Sequence, residues 1–85
     1  MTAAELEHRL AALLASVLER PVGPGEPIER GREAAWTSLR HVELLFSLEE
    51  TFDVRFTEAE LMTLESSGAI RDALLRRARD PSDGA

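Results

Sequence analysis

The stretch "AAWTSLRHVELLFSLEETF", residues 34–52, decides how this chain is read. A tryptophan closes a proline-rich segment, a hydroxyl residue (Ser38) follows, and the chain then turns apolar at helical rather than strand spacing. At about 100° per residue, Leu44, Leu45, Leu48 and Phe52 fall on one side of a helix over Ser38–Phe52, which suffices for a core stripe. Leu39, Val42 and Phe46 fall on the opposite side, interleaved with Glu43 and Glu50. A small bundle offers core to one side of each helix, so the second stripe is left to face a loop, another helix or a partner.

Upstream, Thr2 and Glu5 have the spacing of a capping box. Behind them Leu6, Leu10, Leu13, Leu14, Val17 and Leu18 share one face, and Pro21 marks a stop, which predicts a first helix over residues 3–19. Residues 20–37 carry three prolines and three glycines and form a loop long for so small a domain. Val22, Ile28 and Trp36 are its expected anchors in the core. Downstream, Thr57 and Glu60 repeat the capping-box spacing, with Phe56 and Leu61 placed as a hydrophobic staple for a short helix over 58–64. Ser66 or Ser67 then caps a last helix over 68–79, with Ile70, Ala73, Leu74 and Ala78 inward, and residues 80–85 read as a frayed tail. No strand pattern or internal repeat competes. The expected fold is all-α, a four-helix bundle over residues 1–79 with three longer helices, a short third one and a long first loop.

With 85 residues, 44% of them hydrophobic and 31% charged, the chain has the composition of one small globular domain. The absence of cysteine excludes disulfides, thiolate metal sites and thiol nucleophiles. The longest apolar run, "AALLASVL", is far below the roughly 20 residues needed to span a bilayer, so a soluble cytoplasmic monomer is expected. A net charge of −6 disfavours nucleic acid and anionic membranes as partners. That charge is uneven. Residues 38–60 hold six acids against two arginines, and residues 71–79 hold four arginines against one acid. A basic partner would meet the middle of the chain, while the terminal arginines complement the dipole of the last helix.

Chemistry has few candidates. His8 and His41 belong to no ligand motif, and although His41 follows Ser38 by three residues, no acid stands in a triad-like position. Ser38 has two compatible readings. It is an N-cap, a place that favours serine, or its hydroxyl carries a phosphoester, which the free N–H groups and positive end of a helix favour.

The wider pattern "WTSLRHVELLFSLEETFDVRF", followed by "TEAELMTL" and "SSGAIRDALL", resembles the acyl carrier proteins. The match is carried by Ser38, Leu39, Val42, Glu43, Leu44, Leu48, Glu49 and Phe52, with Gly68 opening the last helix. The resemblance implies a non-catalytic standalone carrier whose Ser38 accepts 4′-phosphopantetheine from a phosphopantetheinyl transferase using coenzyme A. The prosthetic thiol would hold an acyl or aminoacyl group as a thioester, supplied by a loading enzyme and passed to a synthase or transferase with a basic docking patch. Thr37, Leu39, Val42, Glu43, Phe46, Glu49 and Glu50 would form the docking face. Thr37 stands where the family usually has aspartate, which removes a charge beside the attachment site. Ser67 stands where valine is common, a change read as one of core packing. With Trp36 and Phe46, these departures point away from a housekeeping fatty-acid carrier and toward polyketide, non-ribosomal peptide or other specialised biosynthesis. The alternative is an unmodified helical interaction module that uses the acidic face of the second helix.

Overall fold

A computed structural model of the chain describes residues 1–79, with side chains described through Arg77; the inward placement of Ala78 and the tail over 80–85 lie outside the described residues. The described residues form four α-helices: α1 (Ala3–Leu18), α2 (Ser38–Phe52), α3 (Glu58–Leu61) and α4 (Ser67–Arg79). The described residues contain no strand beyond an isolated antiparallel bridge between Glu29 and Ser66. Among the described residues, no helix is long and apolar enough to cross a membrane.

α1 begins as its sequence requires. The Glu5 backbone N–H donates to Thr2 Oγ1 at 3.1 Å, and the Thr2 N–H donates back to the Glu5 carboxylate at 3.4 Å. It ends one residue earlier than the expected 19, because Glu19 turns into the left-handed region at φ 55° and the Arg20 N–H closes on the Ala15 carbonyl. Asp53, at φ 52°, ends α2 in the same way. The second capping box is also formed, between Thr57 and Glu60.

α3 is only one turn long, shorter than the expected 58–64. The Thr63 hydroxyl donates to the Glu60 carbonyl at 2.8 Å, offering the backbone a local alternative to another helical turn. Ser66 caps α4, its Oγ accepting from the Ala69 N–H at 3.1 Å. One of the arginines expected to complement the α4 dipole has a packing role. Arg77 pairs with Glu60 of α3 and lies 5.8 Å from the centre of the Phe56 ring, tying α4 to the α3 region.

A single core joins these pieces. Leu6, Leu10, Leu14 and Leu18 of α1 meet Leu44 and Leu48 of α2 and Ile70, Ala73 and Leu74 of α4, and Leu64 is buried among them. The long loop contributes Ile28 and Trp36, each 3% exposed, while Val22 is half-buried beside them. Polar contacts hold the loop as well. Ser67 is buried at the start of α4; its hydroxyl donates to the Glu26 carbonyl and accepts from the Ile28 N–H, both at 2.9 Å. The serine in place of valine is therefore not a packing change alone, since it supplies two hydrogen bonds between α4 and the loop. The backbone adds Arg30 N–H to the Glu65 carbonyl and Ser67 N–H to the Ile28 carbonyl. Arg20 bridges the two legs of the loop through Glu26 and Glu33, each at 3.0 Å. At Gly25 the loop requires glycine, because φ is +78° and a Cβ there would meet the Glu7 carboxylate at 3.3 Å.

Candidate functional site

The N-terminus of α2 is built by the loop that precedes it. Trp36 is driven into the core, so the next residues emerge at the surface as the helix begins. Thr37 is the N-cap: its backbone is extended and its Oγ1 accepts from the Arg40 N–H at 3.2 Å. Ser38 is the first helical residue, so the capping role read for Ser38 belongs to Thr37. Threonine at 37 thus does for the backbone what aspartate would do, but without the charge. The Ser38 side chain is left exposed, with its hydroxyl free of capping work.

A side chain of the loop reaches that hydroxyl. Arg30 Nη2 stands 3.5 Å from Ser38 Oγ, and Nη1 of the same guanidinium donates to both oxygens of Glu65, at 2.9 and 3.2 Å. Neither Arg30 nor Glu65 is visible as a site residue in the sequence. They lie 8 and 27 positions from Ser38, and only the bridge between loop and α4 brings them there.

His41 does not serve Ser38. Its Nδ1 accepts from the Trp36 indole N–H at 3.0 Å, which places the ring proton on Nε2, and Nε2 lies 3.9 Å from Glu65. Burial, then the charge of Arg30, pushes the His41 pKa below its ordinary value, against the opposing pull of Glu65. The imidazole is a neutral acceptor for a buried indole rather than a base directed at a serine. Among the described residues, no group of three or more histidine, cysteine or acidic residues is placed to hold a metal ion.

The second stripe of α2 is bare. Leu39 is 70% exposed, Val42 49% and Phe46 69%, so neither the loop nor α3 covers them. Glu43 and Glu50 are exposed along the same helix. A groove lined by Val17, Thr37, Leu39, Arg40 and Glu43 lies on the α1 side, and another beside Phe46 is lined by Glu49, Glu50, Asp53 and Arg55. Glu49 differs from the other acids. Its side chain is largely buried and accepts from the Phe56 N–H at 2.9 Å, so it closes the turn after α2 instead of standing free at its expected place beside the exposed stripe. Arg40 is likewise held inward, by the Leu18 and Ala35 carbonyls and by Glu19.

No protein-family model matches the chain, and no curated protein or solved structure matches it.

Proposed function

We propose that the chain is a standalone carrier protein, with Ser38 the attachment point for 4′-phosphopantetheine. One observation carries the reading: an exposed serine hydroxyl at the first turn of α2, relieved of capping by Thr37, heads an exposed apolar stripe on the same helix. A helix cap would not need two hydroxyls, and a folded core does not need Leu39 and Phe46 in water.

The residues around Ser38 fit such a group. The first turn of a helix presents free N–H groups and the positive end of its dipole to an anion, and the Arg30 guanidinium lies within 3.5 Å of the hydroxyl. A coenzyme A-dependent transferase would take the Ser38 proton and form the Oγ–phosphorus bond as the coenzyme's diphosphate bond breaks, adenosine 3′,5′-bisphosphate leaving. The attached group supplies a terminal thiol that holds acyl or aminoacyl cargo as a thioester. The chain itself presents the cargo; Leu39, Val42, Phe46, Glu43 and Glu50 offer partners an apolar ridge edged by negative charge.

Because the chain has no cysteine, the test is direct. After incubation with coenzyme A and a broad-specificity transferase, intact mass should rise by one phosphopantetheine and one reactive thiol should appear. Both should be lost in Ser38→Ala. An unchanged mass with several transferases would instead favour an unmodified interaction module.

A further inference from the structure

We infer that Arg30 is a positioning residue for the phosphate attached to Ser38, held ready by Glu65; this rests on the carrier reading. Arg30 sits in a single 3-10 turn over Arg30–Arg32, and its own N–H donates to the Glu65 carbonyl at 2.9 Å, so the backbone beneath the side chain is fixed from the α4 side. The guanidinium is then divided. Nη1 is engaged by both Glu65 oxygens, while Nη2 faces Ser38 Oγ.

At 3.5 Å, the contact with a neutral hydroxyl is longer than the usual N–H···O separation of about 2.9–3.0 Å and contributes little in the unmodified chain. A phosphodiester on Oγ brings non-bridging oxygens further out from the helix, and charge-assisted contacts of this kind close to about 2.8 Å. Arginine suits the task because its rigid fork can serve two anions from different edges. Its side chain is 29% exposed and already ordered by Glu65, so little freedom remains to be lost when the phosphate arrives. Glu65 has an opposing effect, since its charge partly cancels that of Arg30. Glu65→Gln removes that charge but keeps an amide oxygen to accept from Nη1, so Arg30 stays ordered and the phosphate contact should stay intact or strengthen.

Phosphorus NMR of the loaded protein reads this contact directly. In the wild-type protein the resonance should be shifted from that of the same loaded protein unfolded in urea, and broadened to the tumbling of the folded chain. Arg30→Gln should move the resonance toward the unfolded position and narrow it; Arg30→Lys should keep part of the shift, and Glu65→Gln should keep or enlarge it. Circular dichroism checks that each variant is folded. A phosphorus signal in the folded wild type identical to that in urea would overturn the inference even if Arg30→Gln did not fold. So would a signal unchanged in folded Arg30→Gln. In both cases the mass gain would leave the carrier reading standing, whereas no mass gain on the wild type would remove the reading and this inference together.

Discussion

Two adjacent hydroxyl residues divide the work at the head of α2, and their substitution should separate fold from function. Thr37 accepts from the Arg40 N–H, so Thr37→Ala should lower stability by about 1 kcal/mol in urea unfolding of the unmodified protein. Ser38→Ala removes an exposed hydroxyl that caps nothing and should change stability by less than about 0.5 kcal/mol while abolishing loading. The reverse pattern would return the cap to Ser38. His41 should give the region a pH dependence. Its folded pKa is depressed, so between that value and the ordinary 6.5 the unfolded chain binds the extra proton, and stability rises with pH. Stability is therefore complete above about pH 6.5 and falls as the pH drops toward the folded value. Protonation puts a hydrogen on Nδ1 and deprives the buried Trp36 N–H of its acceptor, with Arg30 adding repulsion and Glu65 offsetting part of it. Urea midpoints followed by tryptophan fluorescence should fall between about pH 7 and 5.5 in the wild type, and less so in His41→Gln. Equal slopes would show that other groups carry the effect.

At the scale of elements, the join between the long loop and α4 depends on one side chain. Ser67 is 7% exposed and bonds to both the Glu26 carbonyl and the Ile28 N–H. Ser67→Val supplies more apolar surface, but it leaves both groups without these partners and should cost about 1–3 kcal/mol. A neutral or stabilising result in thermal unfolding would make the position one of packing after all. This contact also marks where the sequence stops being legible. α1, α2 and α4 can be read because apolar spacing and capping residues are local signals, and Val22, Ile28 and Trp36 can be read as anchors because they are the large apolar side chains of an otherwise polar, proline- and glycine-rich loop. The length of α3 escaped because Thr63 bonds back onto the backbone, a choice that spacing does not reveal. The left-handed ends at Glu19 and Asp53 escaped because neither carries the usual glycine. Ser67 acquires its role from Glu26 and Ile28, and Arg30 and Glu65 acquire theirs from each other, all across the join between loop and α4, and no periodicity encodes such pairs. At the head of α2, the exposed stripe can be read from spacing, whereas the cap at Thr37 and the guanidinium beside Ser38 cannot.

For the whole molecule, the exposed apolar stripe of α2 and the acids interleaved with it stand apart from the buried core, so the surface can be altered without touching the core. Leu44 and Phe46 lie two positions apart on α2, yet one is 0% and the other 69% exposed. Leu44→Ala should cost about 2–5 kcal/mol, a large share of the stability of so small a domain. Phe46→Ala and Glu43→Arg should each stay within about 0.5 kcal/mol of wild type. Their effect should appear in transfer instead. If a basic patch on a loading enzyme is drawn to Glu43 and Glu50, the rate of transfer to the loaded carrier at low protein concentration should fall with added salt, since exposed charges are screened beyond about 8 Å at physiological ionic strength. Glu43→Arg should slow transfer most at low salt and flatten the salt dependence. Phe46→Ala should slow it at every salt concentration while leaving the slope unchanged, because it removes apolar contact and no charge. Parallel salt curves for wild type and Glu43→Arg would show that partners approach from another face, leaving the Leu39, Val42 and Phe46 ridge without an electrostatic guide.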